Sequence, residues 1–359
     1  MKKYTIKDVA SYAGVSIATV SRVINKHSNV DPQLCRKVNA AMQELNFHPN
    51  SNAQSMRRKS GHAIGLILPN LTDPFFGSIA NHVIEYSMTQ DLNVQVCISK
   101  SEGSYDELAL FKKFAKSSID GVIYCSVSTI DQDSFNQYFS NTPVVICSRH
   151  DLVPGRPHVF FNHIDGGYLA TKHLIEMGHK RIAFFVGVYD PQSYNPSALE
   201  VYIKKPVLAG PFSGIDKFIG SRKALEEKNI PYYPELVEFV DLGNPYETGY
   251  LAMQHLISKT TNFDAVFCTN DLSATGAIRM LNFQHINVPD SVSVIGYDDS
   301  ILAICSQPQL STVVQDTRIL SYECVHVLSN LMKGEDCSDV QIDVRLIIRQ
   351  SSCSHVSLL

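Results

Sequence analysis

Near the amino terminus, apolar or small residues fall at Val9, Ala10, Ala13, Val15, Val20 and Val23, the spacing of one buried face shared by two short helices. Gly14 lies where a tight turn would join them, Ala10 is small enough to let them cross closely, and Ser16 stands where an N-cap is wanted. The second helix is therefore predicted to begin just after Ser16. A third helix is predicted over Pro32 to Leu45, with Leu34, Val38, Ala41, Met42 and Leu45 on one face. Farther on the pattern changes. Short runs rich in Val and Ile (AIGLIL, NVQVCI, GVIYCSV, PVVIC, RIAFFV, AVFC, SVSVIGY) alternate with helical stretches such as Asp106 to Lys116 and Asp165 to Met177. That rhythm predicts parallel sheets in an α/β body behind a small all-α head.

The polar face of the second helix carries Ile17, Ala18, Thr19, Ser21, Arg22 and Asn25, with one charge and no Glu/Lys pairs. Such a face suits a DNA major groove. Arginine can bond both acceptors of guanine, Ala18 and Ile17 can pack on a thymine methyl, and the hydroxyls and Asn25 can reach phosphates or base edges. Charge distribution points the same way. The first sixty residues hold ten basic and three acidic residues, net +7, which leaves 21 basic and 32 acidic beyond, net -11. A basic head on an acidic body implies a polyanion partner for the head alone.

Residues 47–61, FHPNSNAQSMRRKSG, are mostly polar, with Ala53 and Met56 among the few apolar side chains. A free helix this short is marginal in water, so the segment reads as a connector. On DNA it could order, placing Arg57 and Arg58 near phosphates and Met56 as an apolar wedge at a minor-groove step. On composition alone, a basic linker with one stray methionine is the default reading.

Nine cysteines are scattered without a C-x-x-C pair, and Cys97, Cys125, Cys147 and Cys268 lie in or beside apolar runs, as buried small hydrophobes do in a reducing compartment. No apolar run approaches the roughly 18 residues of a membrane helix, and the start lacks a signal-peptide core. A cytoplasmic protein without a membrane partner is expected. No phosphate-loop or dinucleotide motif, no metal-ligand spacing and no nucleophile–base–orienter set emerges, so no catalytic residue, metal or cofactor is expected.

TIKDVASYAGVSIATVSRVIN, HPNSNAQSMR, IGLILPNLTDPFF, GGYLATKHLIEMGHKRIAF, AVFCTNDLSATGAI, VPDSVSVIGYDD and LSTV, in that order, resemble the lactose/galactose repressor (LacI/GalR) family over nearly the whole chain. The resemblance implies a helix-turn-helix DNA-binding domain (1–46), a hinge (47–61), a periplasmic-binding-protein-like body of two lobes (62–350) and a tail (351–359). Lobe 1 is expected at about 62–163 and 297–314, lobe 2 at about 164–296 and 315–350, with crossovers near Ile164, Tyr297 and Val314. It implies a homodimer on a palindromic double-stranded operator, contacted by Thr5, Ser16, Ile17, Ala18, Thr19, Ser21, Arg22, Asn25, Ala53, Met56 and Arg57. DNA affinity would be set by a small effector, expected to be a sugar or sugar derivative. The hinge position held here by Met56 is usually leucine in the family.

Ligands of such α/β folds bind beyond the carboxyl ends of the strands. There this sequence places Asp73, Phe75, Phe76, Ser148, Arg149, Asn270 and Asp298, an aromatic platform with directed polar groups, and the resemblance assigns these to the effector. Core, turn and helix-capping roles remain open for Phe75, Phe76, Asp298 and Asn270. Three departures from the family set the chain apart. Lys217 stands where an R-x-x-G-F arginine is common, Asn162-His163 replaces an Asp-Asn pair, and about twenty extra residues lie between Gly187 and Lys217. Lys217 and Asn162 complete the expected effector set. The alternatives are an exported solute-binding protein, which would not need residues 1 to 60, and a sugar- or nucleotide-modifying α/β enzyme, which would need a catalytic constellation.

Overall fold

Three helices with one shared apolar face make the first unit. The computed structural model describes residues 5–24, 31–45, 63–101, 104–105, 107–114, 117, 119–125, 132–150, 153–189, 191–194, 199 and 213–352. Asn25, Ala53, Met56 and Arg57, the connector 47–61, most of the 188–216 stretch and residues 353–359 lie outside them. The chain divides into two compact units, Met1–His62 and Ala63–Leu359.

In the first unit, α1 (Ile6–Ala13), α2 (Ile17–Ile24) and α3 (Pro32–Glu44) bury Val9, Ala10, Val20, Val38 and Ala41 against one another. Ile6, Ala13, Val15, Val23, Met42 and Leu45 close round that core, while Leu34 is only half-buried. Asp31 caps α3 by accepting from the Gln33 N–H at 2.6 Å.

The second unit begins with β1 (Ala63–Leu68), α4 (Pro74–Thr89), β2 (Asn93–Ile98), a ribbon of β3 (Lys100–Ser101) and β4 (Ser104–Tyr105), and α5 (Glu107–Phe114). Next come β5 (Gly121–Tyr124), α6 (Gln132–Phe139), β6 (Val144–Cys147), β7 (His158–Phe161) and α7 (His163–Glu176). The chain continues through β8 (Ile182–Val188), α8 (Ser213–Glu227), β9 (Val237–Asp241), α9 (Pro245–Lys259), β10 (Ala265–Cys268), α10 (Asp271–Phe283) and β11 (Ser293–Asp298). It ends with α11 (Ile301–Cys305), β12 (Ser311–Val314), α12 (Thr317–Met332), β13 (Val340–Ile342) and β14 (Arg345–Ile347).

Two six-stranded sheets result, ordered β13-β7-β6-β5-β1-β2 and β14-β12-β11-β10-β8-β9. All pairings within them are parallel except β12 with β14. Both faces of each sheet are covered, which is why their strands are near-continuous apolar runs. In lobe 1, the core under α4 and α12 holds Ile64, Leu66, Val83, Val145, Leu320 and Leu328, and that under α5 and α6 holds Phe111, Phe114, Tyr124 and Phe135. In lobe 2, α9 and α10 cover one face and α7 and α8 the other.

The expected lobe boundaries need correction. Segment 297–314 belongs to lobe 2, because β11 and β12 pair with each other in its sheet, Ile295 opposite Ser311 and Tyr297 opposite Val313. Much of 315–350 belongs to lobe 1, where Leu320, Cys324, Val325 and Leu328 of α12 enter the core and Val340–Ile342 extends the sheet beside β7. The chain changes lobe between Phe161 and His163, between Val314 and Thr317, and between Ile342 and Arg345. Tyr297 is not a crossover; it lies inside β11, fully buried.

Candidate functional site

In the head, the turn after α1 depends on Gly14, whose φ of +66° lies in the left-handed region that favours glycine. Ser16 then caps α2. Its Oγ accepts from the Thr19 N–H at 3.0 Å and pairs with Thr19 Oγ1 at 2.9 Å. Ile17 is 44% exposed. Ala18 and Arg22 are exposed, and Ser21 is half-buried. Thr5 precedes α1, and its N–H and hydroxyl both donate to the Asp8 carboxylate at 2.7 Å. The expected reading face is thus an exposed helix surface free of carboxylates, since α2 is IATVSRVI.

In the body, eight of the nine expected effector residues line one cleft between the lobes. Lobe 1 contributes Asp73, Phe75, Phe76, Ser148 and Arg149; lobe 2 contributes Lys217, Asn270 and Asp298. Asn162 is not among the lining residues. Its Oδ1 accepts from the Asp165 N–H at 3.1 Å and caps the amino end of α7. Tyr189, Leu242, Thr269 and Gln315 also line the cleft and were not among the expected set. Tyr189 follows β8 and Gln315 follows β12, the strand-end position that identified the others.

Capping and lining coincide. Asp73 caps α4 through the Phe75 N–H at 2.9 Å, and Asn270 caps α10 through the Ser273 N–H at 2.7 Å. Each cap fixes its side chain at the cleft edge through one oxygen. Phe75 and Phe76 meet edge to face at 5.4 Å and are half-buried against the lobe 1 core, so one side of each serves the core and another the cleft. Ser148 takes a φ of +67° and Asp298 one of +121°, strained backbone at two strand ends that face the cavity.

Lys217 is a buried cation on the cleft wall. It is 3% exposed, its Nζ donates to the Thr269 carbonyl at 2.8 Å, and the same nitrogen lies 3.8 Å from the centroid of the Tyr297 ring. Burial brings its pKa down to about 8, against the opposing pull of Asp298, Asp271, Asp216 and Asp73. Asp298, which accepts from Gln315 Nε2, is pushed well above the usual carboxylate range by burial, with Lys217 opposing and Asp271 and Asp73 reinforcing. Burial also raises Asp271 to about 7, although it accepts from Thr312 Oγ1 at 2.6 Å and from the Ser300 N–H at 2.7 Å.

The two lobes also meet through His150 Nδ1 and Asp216 Oδ2, 3.8 Å apart. At the first crossover, buried His163 has Nδ1 3.3 Å from the Tyr297 hydroxyl, and burial followed by Lys217 and His150 keeps its pKa well below the ordinary histidine value. Among the described residues, no cluster of three or more His, Cys, Asp or Glu side chains could hold a metal ion. No described helix is long and apolar enough to cross a membrane.

Three family models together span this architecture. "Bacterial regulatory proteins, lacI family" matches residues 5–50, "Periplasmic binding proteins and sugar binding domain of LacI family" matches 61–195, and "Periplasmic binding protein-like domain" matches 171–352. The HTH-type transcriptional repressor PurR of Haemophilus influenzae (strain PittEE) is 32% identical over 355 residues, 97% of this chain and 98% of that protein. The chain belongs to the lacI family of bacterial regulatory proteins. Catabolite control protein A of Priestia megaterium is 28% identical over 97% of this lacI-family chain and 99% of its own. Among solved structures, the lac repressor dimer bound to operator and the anti-inducer ONPF matches with a TM-score of 0.83 at 27% identity, covering 98% of this chain and 99% of that one. The complex of the regulator CelR with cellobiose matches with a TM-score of 0.69 at 28% identity, covering 97% and 99%. This lacI-family chain is a DNA-binding transcriptional regulator with a ligand-binding body.

Proposed function

We propose that the protein is a cytoplasmic, non-enzymatic repressor that binds a palindromic operator as a homodimer and whose DNA affinity is set by a polyhydroxy effector, a sugar or sugar derivative, in the interlobe cleft. The observation that carries the effector reading is the convergence of Asp73, Phe75, Phe76, Ser148, Arg149, Lys217, Asn270 and Asp298 on one cavity from both lobes. Hydroxyl groups both donate and accept. A wall that mixes two carboxylates, two cations, amides and aromatic rings matches such a ligand and favours no single net charge.

In the head, Arg22, Ile17 and Ala18 of α2 read each half-site, with Thr5, Ser16, Thr19, Ser21 and Asn25 positioning the helix on phosphates and base edges. Ala53, Met56 and Arg57 of the connector act at the minor groove near the operator centre. Because the cleft is built from two lobes joined by three crossovers, a ligand that favours one lobe arrangement shifts the population toward it. DNA affinity then changes only as far as the ligand discriminates between the two arrangements. The lac repressor dimer bound to operator and the CelR–cellobiose complex support this reading by likeness.

The test is thermal unfolding of the purified protein against sugars, sugar phosphates, nucleosides and nucleobases. A ligand at 100 times its dissociation constant adds about 2.7 kcal/mol of stability. A concentration-dependent rise that disappears in Asp298→Ala and Asn270→Ala supports the cleft as effector site. A rise that survives both substitutions places the effector elsewhere.

A further inference from the structure

We propose that Lys217 is a modification site, where its side-chain amine condenses reversibly with the carbonyl of a small polyhydroxy aldehyde or ketone held in the cleft. The inference rests on the reading of the cleft as a polyhydroxy-ligand site. It starts from a contrast among lysines. Lys172, Lys228 and Lys259 have side chains 40%, 47% and 42% exposed, and each lies within 4.0 Å of a glutamate oxygen: Glu176, Glu227 and Glu238 respectively. Lys217 is 3% exposed, lines the cavity, and among the described residues has no carboxylate within 4.0 Å. Its hydrogen-bond acceptor is the Thr269 carbonyl, which takes an N–H from a neutral amine as well as from an ammonium. The Tyr297 ring at 3.8 Å holds the nitrogen in place from another side.

Titratable and charged groups face this amine from every packed element: Asp73 capping α4, Asp216 on α8 itself, Asp271 on α10, Asp298 and Tyr297 on β11, and His163 on α7. Burial outweighs the four carboxylates, so that roughly a quarter of Lys217 is free amine at pH 7.5, against about a tenth of a percent for an ordinary lysine. Lysines made nucleophilic in this way are activated by desolvation.

The condensation balances without a redox partner. The amine lone pair attacks the carbonyl carbon, a proton moves from nitrogen to the new alkoxide, and the carbinolamine loses water to give the imine. Asp298, whose pKa burial raises well above the usual carboxylate range, is the nearby group that can exchange a proton as water departs. Among polyhydroxy ligands, those with a carbonyl are open-chain reducing sugars and short hydroxyaldehydes.

The experiment exposes the full-length protein briefly to glycolaldehyde with sodium cyanoborohydride, which traps imines, and locates the adducts by peptide mass spectrometry. At pH 7.5 Lys217 is expected to react at least about tenfold faster than Lys172, Lys228 and Lys259, with its rate levelling above about pH 8. Lys217 reacting no faster than those three overturns the proposal. Glycolaldehyde is too small to depend on effector recognition, so that negative result leaves the effector reading intact. Conversely, a failed thermal panel with preferential Lys217 labelling leaves the amine's reactivity standing.

Discussion

The Lys217 nitrogen lies 3.8 Å from the centroid of the Tyr297 ring, and the Tyr297 hydroxyl lies 3.3 Å from His163 Nδ1, so one tyrosine links the cleft floor to the first lobe crossover. The two ends of that side chain are separable. Tyr297→Phe keeps the ring under the lysine and removes one hydrogen bond, a loss of about 1 kcal/mol. Tyr297→Leu also removes the aromatic face, adding about 2 kcal/mol or more for a desolvated cation over a ring. Denaturant unfolding of the full chain checks the order; equal losses in both variants would place the whole effect on the hydroxyl.

The position of Lys217 depends on two glycines. A Cβ on Gly167 would lie 1.7 Å from the Lys217 carbonyl oxygen, and one on Gly220 would lie 1.8 Å from the Ile164 carbonyl oxygen. Both obstructions are backbone, so α7 and α8 must separate to admit a methyl group. Gly167→Ala and Gly220→Ala are each expected to cost about 3 kcal/mol or more, at the upper end of overpacking penalties. Gly155→Ala tests a different cause, since its surroundings are open and only its φ of +87° resists substitution. That change is expected to cost roughly 1–2 kcal/mol. Thermal melting of the three variants should separate the two classes.

The head makes a local prediction. Ser16→Ala removes the acceptor for the Thr19 N–H and is expected to cost about 1 kcal/mol. In the full chain this is read by hydrogen exchange at the α2 amides, which should open about fivefold more often while α4 and α7 exchange unchanged. Unaltered α2 exchange would mean that the cap contributes nothing.

Asp271 gives a pH dependence with a definite sign. Its pKa is raised to about 7 when folded, against about 3.9 unfolded, so between these values the folded state binds more protons. Its contribution to stability is fully present below about pH 4 and is lost as pH rises through about 7. Asp271→Asn cannot lose that proton. The variant's deficit relative to the parent should therefore be largest near pH 4 and shrink toward pH 7, as measured by denaturant midpoints. A deficit that grows across this range would contradict the assignment.

Much of this molecule is legible in the sequence. The Val9, Ala10, Val20 and Val38 spacing, Gly14 and Ser16 foretell the head, because each reflects local geometry. The alternating runs foretell the α/β body, strand ends foretell seven cleft residues, and the family resemblance adds Lys217 on α8. The lobe to which a late strand belongs is not legible, because β11, β12 and β13 are all short and pairing is settled only in three dimensions. Asn162 caps α7 and is not among the lining residues; a helix cap and a ligand contact call for the same side chain, so sequence alone does not separate them. Tyr189 and Gln315 sit at strand ends as well, but no resemblance singled them out.

Operator reading by α2 is tested most directly by selecting DNA from a randomised pool with the full-length protein and with its Arg22→Ala variant. The parent is expected to enrich a palindrome, and the variant to lose roughly 1–3 kcal/mol of discrimination at one base pair in each half-site while the other positions hold. Enrichment of no palindrome, or of the same sequence with the same preference by Arg22→Ala, would contradict it.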